Sequence, residues 1–129
     1  MGLRLRIHPE AGPIFEQIVA GVKAAIARGE LRPGDKLPSA RVLAVELRVN
    51  PNTVIRAFAE LEREGITETR RGLGTFVRED VDRAALKREL LVAAARRYLE
   101  AARSLGLDPE EAAAVLREVE TDAGDPKRA

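Results

Sequence analysis

Apolar residues recur along the chain at spacings that predict short, packed helices. Isoleucine or valine occupies every fourth position from Ile14 to Ile26, which gives a helix one apolar stripe that faces a core. Gly29 then suits the position that follows a helix end. Upstream, apolar and charged residues alternate from Leu3 to Ile7, and this period of two predicts a short strand with one buried face.

The next part of the chain is typical of two helices joined by a tight turn. Ser39 and Asn50 are good N-terminal caps, and Pro51 suits the first position of the helix that follows. The first helix is predicted over residues 40–48, and the second ends before Gly65. The inward face of the second helix repeats at helical spacing and consists of Val54, Ala57, Phe58 and Leu61. The short gap between the two helices matches a helix-turn-helix.

Two strands with a glycine-rich turn between them follow the second helix. Residues 66–70 and 75–78 have strand composition, and the turn contains Gly72 and Gly74, which can adopt positive φ. Lys36 and Leu37 are expected to be extended, because the residue before a proline is kept out of the helical region. The hairpin therefore predicts a wing, which completes a winged helix-turn-helix.

Beyond the wing the pattern changes to helices alone. After a charged hinge, a long helix is predicted from Arg83 to Leu105 and a second one from Asp108. The predicted fold class is therefore mainly α with a small β wing. We divide the chain into a winged helix-turn-helix DNA-binding domain, residues 1–79, and a helical dimerisation or effector region, residues 80–129.

The long tail helix has a broad apolar stripe that two helices alone do not bury. We therefore predict that the stripe packs against the same stripe of a second chain. The predicted dimer residues are Leu86, Leu90, Leu91, Ala94, Tyr98 and Leu105. From Asp122 to the end no periodicity remains, and these residues are expected to fray.

Composition removes several classes of protein. The chain has no cysteine and one histidine, His8, which excludes disulfides, thiolate nucleophiles, Cys-zinc sites, His-based metal clusters and a Ser-His-Asp triad. We therefore expect no enzyme, cofactor or metal site. The net charge of +1 does not by itself indicate nucleic acid. No apolar run has the roughly 20 residues of a membrane span, and the N-terminus lacks the apolar region of a signal peptide, so we expect a cytoplasmic protein.

The helix-turn-helix pattern indicates double-stranded DNA as the partner, because an α-helix fits the major groove and its N-terminal residues reach base edges. An asparagine there can bond adenine, and a threonine can contact a thymine methyl group or a phosphate. Arginines lie in both helices and in the wing, where a glycine lets the tip approach the minor groove. The candidate DNA-contacting residues are Arg41, Asn50, Asn52, Thr53, Arg56, Arg70, Arg71 and Gly72.

These residues also have purely structural interpretations. Asn50 is a cap whether or not it contacts DNA, Thr53 can be a surface residue, and Arg41 can form a surface salt bridge. Arg70 and Arg71 can belong to a hairpin that is merely solvated. The corresponding alternative for the whole chain is a winged helix used as a protein-interaction module without DNA binding.

Several runs of residues follow one another in a recognisable order: Pro13–Ile18, Gly29–Ala44, Val49–Val54, Glu62–Ile66 and Arg70–Val77. With these runs, residues 3–78 closely resemble the GntR family of bacterial transcription regulators. The resemblance implies a homodimer on a short palindromic operator. It also implies that family DNA-contact positions are occupied by Arg41, Asn52, Thr53, Arg71 and Gly72. Many members have a guanine-reading arginine where this chain has Pro51, which shifts base reading towards Asn52, Arg41 and Arg56.

The short tail narrows the resemblance. Most members of the family carry a large effector domain, whereas only residues 80–129 follow the wing here, as in the YtrA subfamily. That likeness implies a tail that dimerises and a frequent link to transporter operons. Two helices do not readily enclose a ligand pocket, so any small-molecule effector is expected between subunits or to act through dimer geometry. We expect a dimeric repressor on an inverted repeat, with the two recognition helices about one helical turn apart.

Overall fold

The computed structural model describes residues 3–123, which form five helices and one two-stranded antiparallel sheet. In chain order the elements are α1 (Ile14–Arg28), α2 (Ala40–Leu47), α3 (Pro51–Arg63), β1 (Thr67–Arg70), β2 (Gly74–Val77), α4 (Arg83–Ser104) and α5 (Pro109–Ala123). One turn of 3₁₀ helix at Pro9–Ala11 precedes α1. The predicted fold class, mainly α with a small β wing, is confirmed.

Side-chain caps begin α2 and α3 as expected, and a glycine ends α1 as expected. The Ser39 hydroxyl accepts a hydrogen bond from the Val42 N–H at 3.1 Å, and the Asn50 side chain accepts one from the Asn52 N–H at 2.8 Å. Gly29 ends α1 in the left-handed region, with φ of 82°. Arg48 ends α2 in the same region with φ of 58°, although that conformation disfavours a side chain with a Cβ.

The wing is a hairpin in which Thr67 pairs with Val77 and Arg70 pairs with Gly74. A further isolated bridge joins Lys36 to Phe76, which confirms the extended chain predicted there. The wing is therefore anchored to the segment that leads into α2.

The segment from Leu3 to Ile7 is not a strand, although its side chains alternate between half-buried and exposed. Among the described residues the sheet contains β1 and β2 alone, so the segment has no strand partner. Its apolar side chains pack instead against the helical core, and Leu5 fills the space that a Cβ on Gly21 would need. The alternation correctly indicated one buried face, but the predicted strand was wrong.

The core of the winged helix is aliphatic and lies where α1, α2 and α3 meet. Its fully buried members include Ile18, Val22, Leu43, Val54 and Leu61. The first turns of α4 join this core, and the contacts divide the chain into two units after Leu90, beyond the charged hinge of residues 78–82. The division falls inside α4 because the side chains at its start pack on the first unit.

The second unit contains the rest of α4 together with α5. Asp108 and Glu111 form a capping box, in which the Glu111 N–H donates to the Asp108 carboxylate and the Asp108 N–H donates to that of Glu111. The Tyr98 hydroxyl donates to the Ala112 carbonyl at 2.7 Å, which ties the two helices together. Asp122 and Ala123 still belong to α5, so the prediction that fraying begins at Asp122 was wrong, and residues 124–129 of the predicted tail lie outside the described residues. No helix between residues 3 and 123 is long and apolar enough to cross a membrane.

Candidate nucleic-acid interface

The N-terminus of α3 presents two amide side chains to solvent. The Asn50 side-chain oxygen is occupied by the cap, and the Thr53 N–H donates to the Asn50 carbonyl at 2.9 Å. The side chain of Asn52 is exposed, while Thr53 is half-buried. Among the described residues, neither amide NH₂ group donates a hydrogen bond, so both can serve an external acceptor. The backbone N–H groups of this helix end also favour an anion.

Arg41 lies in the first turn of α2 and is exposed. Within residues 3–122 its guanidinium group forms no ion pair, so the surface salt bridge considered above is absent from this part of the chain. The guanidinium group therefore keeps its N–H donors for an external acceptor.

Arg56 is engaged differently from what the sequence suggested. Its guanidinium carbon lies 3.7 Å from the centroid of the Phe15 ring, which is a close cation–π geometry. Phe15 belongs to α1, so this contact links the recognition helix to the first helix. The guanidinium edge still carries its N–H donors, but the face is committed to the ring.

The two wing arginines have different environments. The Arg70 Nε is 2.8 Å from a Glu68 carboxylate oxygen, and its guanidinium carbon is 4.3 Å from the centroid of the Phe76 ring. Arg71 is exposed at the tip and has no ion-pair partner within residues 3–122. Gly72 has φ of 78°, and a Cβ placed there would meet no atom within 4 Å. The tip is thus narrow and carries one uncompensated cation.

Lys36 is a candidate that the sequence interpretation did not include. Its side chain is exposed and its aliphatic part lies against Gly74. It stands between the wing and the start of α2, because its backbone bridges to Phe76 on one side and leads to Ser39 on the other. The segment was recognised as extended, but nothing in its local pattern indicated that it would pair with the wing.

The opposite end of α3 is acidic and partly self-compensated. Arg63 forms an ion pair with Glu60, and this hydrogen bond lowers the pKa of the Glu60 carboxyl. Glu62 accepts a hydrogen bond from the Thr69 hydroxyl at 2.6 Å. Acidic groups at this end would repel phosphate, so the N-terminal end of α3 is the one suited to DNA.

The predicted dimer residues do not all lie on a free surface. Leu86 is 3% exposed in the core of the winged helix, and Leu90 is half-buried against the same core. Leu86 therefore has almost no surface left for a second chain, because the start of α4 packs on the first unit. Leu91 and Leu105 are 72% and 77% exposed, so they remain available.

An apolar groove of about 410 Å³ lies between the two helices of the second unit. Its lining includes Leu91, Ala94 and Tyr98 from α4 and Leu116 from α5. Leu116 and Val119 are exposed large apolar residues of α5. Three of the predicted dimer residues, Leu91, Ala94 and Tyr98, thus share a groove with α5 residues that the predicted dimer set did not include.

Known proteins resemble this chain along most of its length. A family model described as bacterial regulatory proteins, gntR family, matches residues 14–77. The chain is 44% identical over 100 residues to the uncharacterized HTH-type transcriptional regulator YhcF of Bacillus subtilis, which covers 77% of this chain and 83% of that protein. It is 51% identical over 77 residues to the HTH-type transcriptional repressor YtrA of Bacillus subtilis, which covers 59% of each chain.

A solved structure extends the likeness beyond the winged helix. The structure of a GntR family transcriptional regulator from Listeria monocytogenes matches with a TM-score of 0.74 and 35% sequence identity. The match covers 86% of this chain and 98% of that chain.

Proposed function

The chain belongs to the GntR family of bacterial regulatory proteins and, within it, to the YtrA subfamily, and on this premise we propose that it is a dimeric repressor of an inverted-repeat operator. It is a helix-turn-helix, DNA-binding transcription regulator and not an enzyme. The homodimer, the symmetry of the operator and the repression of transcription are proposed beyond membership of the family. We also propose that the protein acts in the cytoplasm and that its target is a transporter operon.

The observation that carries the proposal is the surface around the first turn of α3. Exposed Asn50 and Asn52 side chains stand at the N-terminus of α3. The exposed cations lie in the first turn of α2, at the wing tip and in the segment that bridges to the wing: Arg41, Arg71 and Lys36. Such a combination suits DNA, since amide side chains read base edges whereas cations neutralise phosphates.

In the proposed complex, the N-terminus of α3 enters the major groove. Asn52 reads an adenine edge, and Thr53 contacts a thymine methyl group or a phosphate. The wing tip approaches the minor groove, where Gly72 leaves room for the backbone and Arg71 supplies the cation. Each phosphate contact releases counterions, so affinity falls steeply with salt.

The proposed dimer forms through the tail. Leu91, Leu105, Leu116 and Val119 are each more than half exposed in one chain, and Leu91 and Leu116 border the apolar groove. A second copy of the same tail would cover these side chains by an isologous, two-fold contact. The two recognition helices then read half-sites about one helical turn apart. We place any small-molecule effector between the two subunits, where it would act on this spacing.

The test measures binding to the DNA upstream of the protein's own gene by fluorescence anisotropy across a range of salt concentrations. Arg71→Ala is expected to weaken binding and to reduce the slope of log K against log salt by about 0.9, which corresponds to one lost phosphate contact. Arg41→Ala is expected to act similarly. Arg63→Ala is the matched control, because it removes an exposed arginine of the same unit at the acidic end of α3.

If Arg63→Ala and Arg71→Ala weaken binding equally, the proposed DNA interface is wrong. A wild-type chain that binds no DNA, including DNA selected from a random pool, would favour the alternative function of a winged-helix protein-interaction module. Selection from the random pool also yields the operator and shows whether it is an inverted repeat.

A further inference from the structure

Lys23 is a buried cation in α1 whose charge is satisfied by two carboxylates. The residue is 6% exposed. Its Nζ lies 2.6 Å from a Glu64 carboxylate oxygen and 2.6 Å from a Glu89 carboxylate oxygen. Burial by itself would lower the pKa of Lys23, but the hydrogen bonds to the two glutamates outweigh it, and the pKa is raised above its ordinary value. The ammonium group is therefore charged and holds both partners.

The two carboxylates belong to different elements. Glu64 directly follows α3, the helix whose other end carries Asn52. Glu89 lies in the second turn of α4. One buried ammonium group in α1 thus joins the end of the recognition helix to the start of α4.

Two other contacts fix the same side of α4. The Arg83 Nε donates to the Ala27 carbonyl at 2.8 Å, near the C-terminus of α1. Leu86 is buried in the winged-helix core. Positions 83, 86 and 89 are three residues apart and share one helix face. The start of α4 is therefore held by a hydrogen bond, an apolar contact and an ion pair in succession.

The three contacts differ in what they restrain. Apolar packing at Leu86 is non-directional, so it permits α4 to roll or tilt slightly. An ammonium group with directed N–H donors fixes the position of the Glu89 carboxylate relative to that of Glu64. Lys23 is thus the contact that relates α4 to the recognition helix.

We propose that Lys23 is a positioning residue for operator recognition, which holds α4 against the end of α3 and so narrows the half-site spacings that the dimer accepts. The inference rests on the proposed function, because the proposed dimer residues lie further along α4 and the chain that follows it. Lys23 itself is buried, so its side chain is not exposed for contact with DNA. Lys23 is expected to affect how well the dimer fits two half-sites at a given separation, and not the affinity of one subunit for a single half-site.

The experiment uses the full chain and compares operators in which the half-site separation is changed by one or two base pairs. Each inserted base pair rotates one half-site about the DNA axis, so a rigid dimer loses affinity. Two variants loosen the contact: Glu89→Gln, at a side chain that is 53% exposed, and Lys23→Met. Both are expected to lose several-fold less affinity than the wild type when the spacing changes. Their affinity for DNA that contains one half-site is expected to be unchanged.

Arg28→Met is the matched control, because it breaks the exposed Arg28–Glu30 ion pair at the end of the same helix. Lys23→Arg keeps a cation for both carboxylates and is expected to restore much of the spacing preference. A spacing profile of Glu89→Gln and Lys23→Met equal to that of the wild type overturns the inference. Weaker binding to every DNA, single half-sites included, also overturns it, since Lys23 would then support folding alone.

The proposed function fails separately, when the wild type binds no operator or binds as a monomer. The positioning role of Lys23 then falls with it. A wild type that binds as a dimer but tolerates every spacing leaves the proposed repressor intact and overturns the role of Lys23.

Discussion

The guanidinium carbon of Arg56 lies 3.7 Å from the centroid of the Phe15 ring, so the recognition helix is joined to α1 by a cation–π contact. Such contacts at exposed sites contribute about 0.5–1 kcal/mol. Arg56, which the sequence suggested as a DNA contact, thus has a structural partner, Phe15, in the free chain. Whether Arg56 acts on the fold or on DNA is decided by removing each partner in turn.

Phe15→Leu keeps an apolar side chain but removes the ring. We expect the free energy of unfolding to fall by roughly 1 kcal/mol, and we expect Arg56→Ala to cost little more in the Phe15→Leu background. Urea unfolding of both single variants and the double variant gives the coupling. Additive losses would mean that the contact contributes nothing to stability. A loss of operator affinity in Arg56→Ala, without one in Phe15→Leu, would assign Arg56 to DNA directly.

Substitution of Asn52 is expected to impair base reading, whereas substitution of Asn50 is expected to impair helix capping. Asn52→Ala retains the backbone N–H that bonds the cap, so stability should change little. Its operator affinity should fall by about 1–3 kcal/mol, because an adenine contact is lost. Asn50→Ala should instead reduce the free energy of unfolding by about 1 kcal/mol, and Asn50→Ser should restore the cap. Competition with random-sequence DNA measures specificity. An Asn52→Ala variant with unaltered specificity would remove Asn52 from base reading.

The Thr67 hydroxyl is buried and has no hydrogen-bonding partner among the described residues. Thr67 is 1% exposed at the start of β1, opposite Val77. An unsatisfied buried hydroxyl costs about 1–3 kcal/mol, whereas valine has a similar shape and no polar atom. Thr67→Val is therefore expected to raise the free energy of unfolding by about 1 kcal/mol in urea titration. Thr69→Val serves as the control, since that exposed hydroxyl donates to Glu62. A destabilised Thr67→Val would mean that the hydroxyl is satisfied in solution.

Local chemistry made much of the winged helix predictable from sequence. The caps at Ser39 and Asn50 and the glycine end at Gly29 are decided by side chains within a few residues of the helix ends. The wing followed from strand composition around its two glycines. The predicted strand at Leu3–Ile7 was wrong because alternation reports one buried face, but a strand also needs a neighbour with which to pair.

The rest depends on contacts between residues distant in sequence. Leu86 was grouped with the dimer stripe because it shares the α4 periodicity, yet the winged-helix core covers it. Arg70 and Arg71 are adjacent and chemically identical, but Glu68 and Phe76 engage the first of them. No periodicity marks Lys23 as the meeting point of two carboxylates, since it differs from a solvated lysine only in the folded chain.

Lys23 makes stability depend on pH at the alkaline end. Its folded-state pKa is raised above the ordinary value of 10.5 by the hydrogen bonds to Glu64 and Glu89, against the effect of burial. A raised lysine pKa contributes stability that is fully present below the unfolded pKa and is lost as pH rises through the folded pKa. We therefore expect the free energy of unfolding to fall as pH rises above about 10.5. The fall should be smaller in Lys23→Met. Urea titrations of both chains across this range measure the difference, and parallel curves would contradict the prediction.

Leu91 and Leu116 border the apolar groove of the tail, and each is more than half exposed in a single chain. Leu91→Glu or Leu116→Glu should therefore leave the fold of one chain intact, as checked by circular dichroism, while placing a charge in the proposed dimer interface. We expect sedimentation at micromolar concentration to change from the dimer mass to the monomer mass, because an unpaired charge is costly to bury between two apolar surfaces.

Arg97→Glu introduces the same side chain at an exposed α4 position away from the groove and should remain dimeric. Operator affinity should fall with dimerisation in the first two variants, since one half-site then binds without the other. A wild-type chain that sediments as a monomer under these conditions would refute the dimer, and dimeric Leu91→Glu and Leu116→Glu would move the interface to another face of the tail.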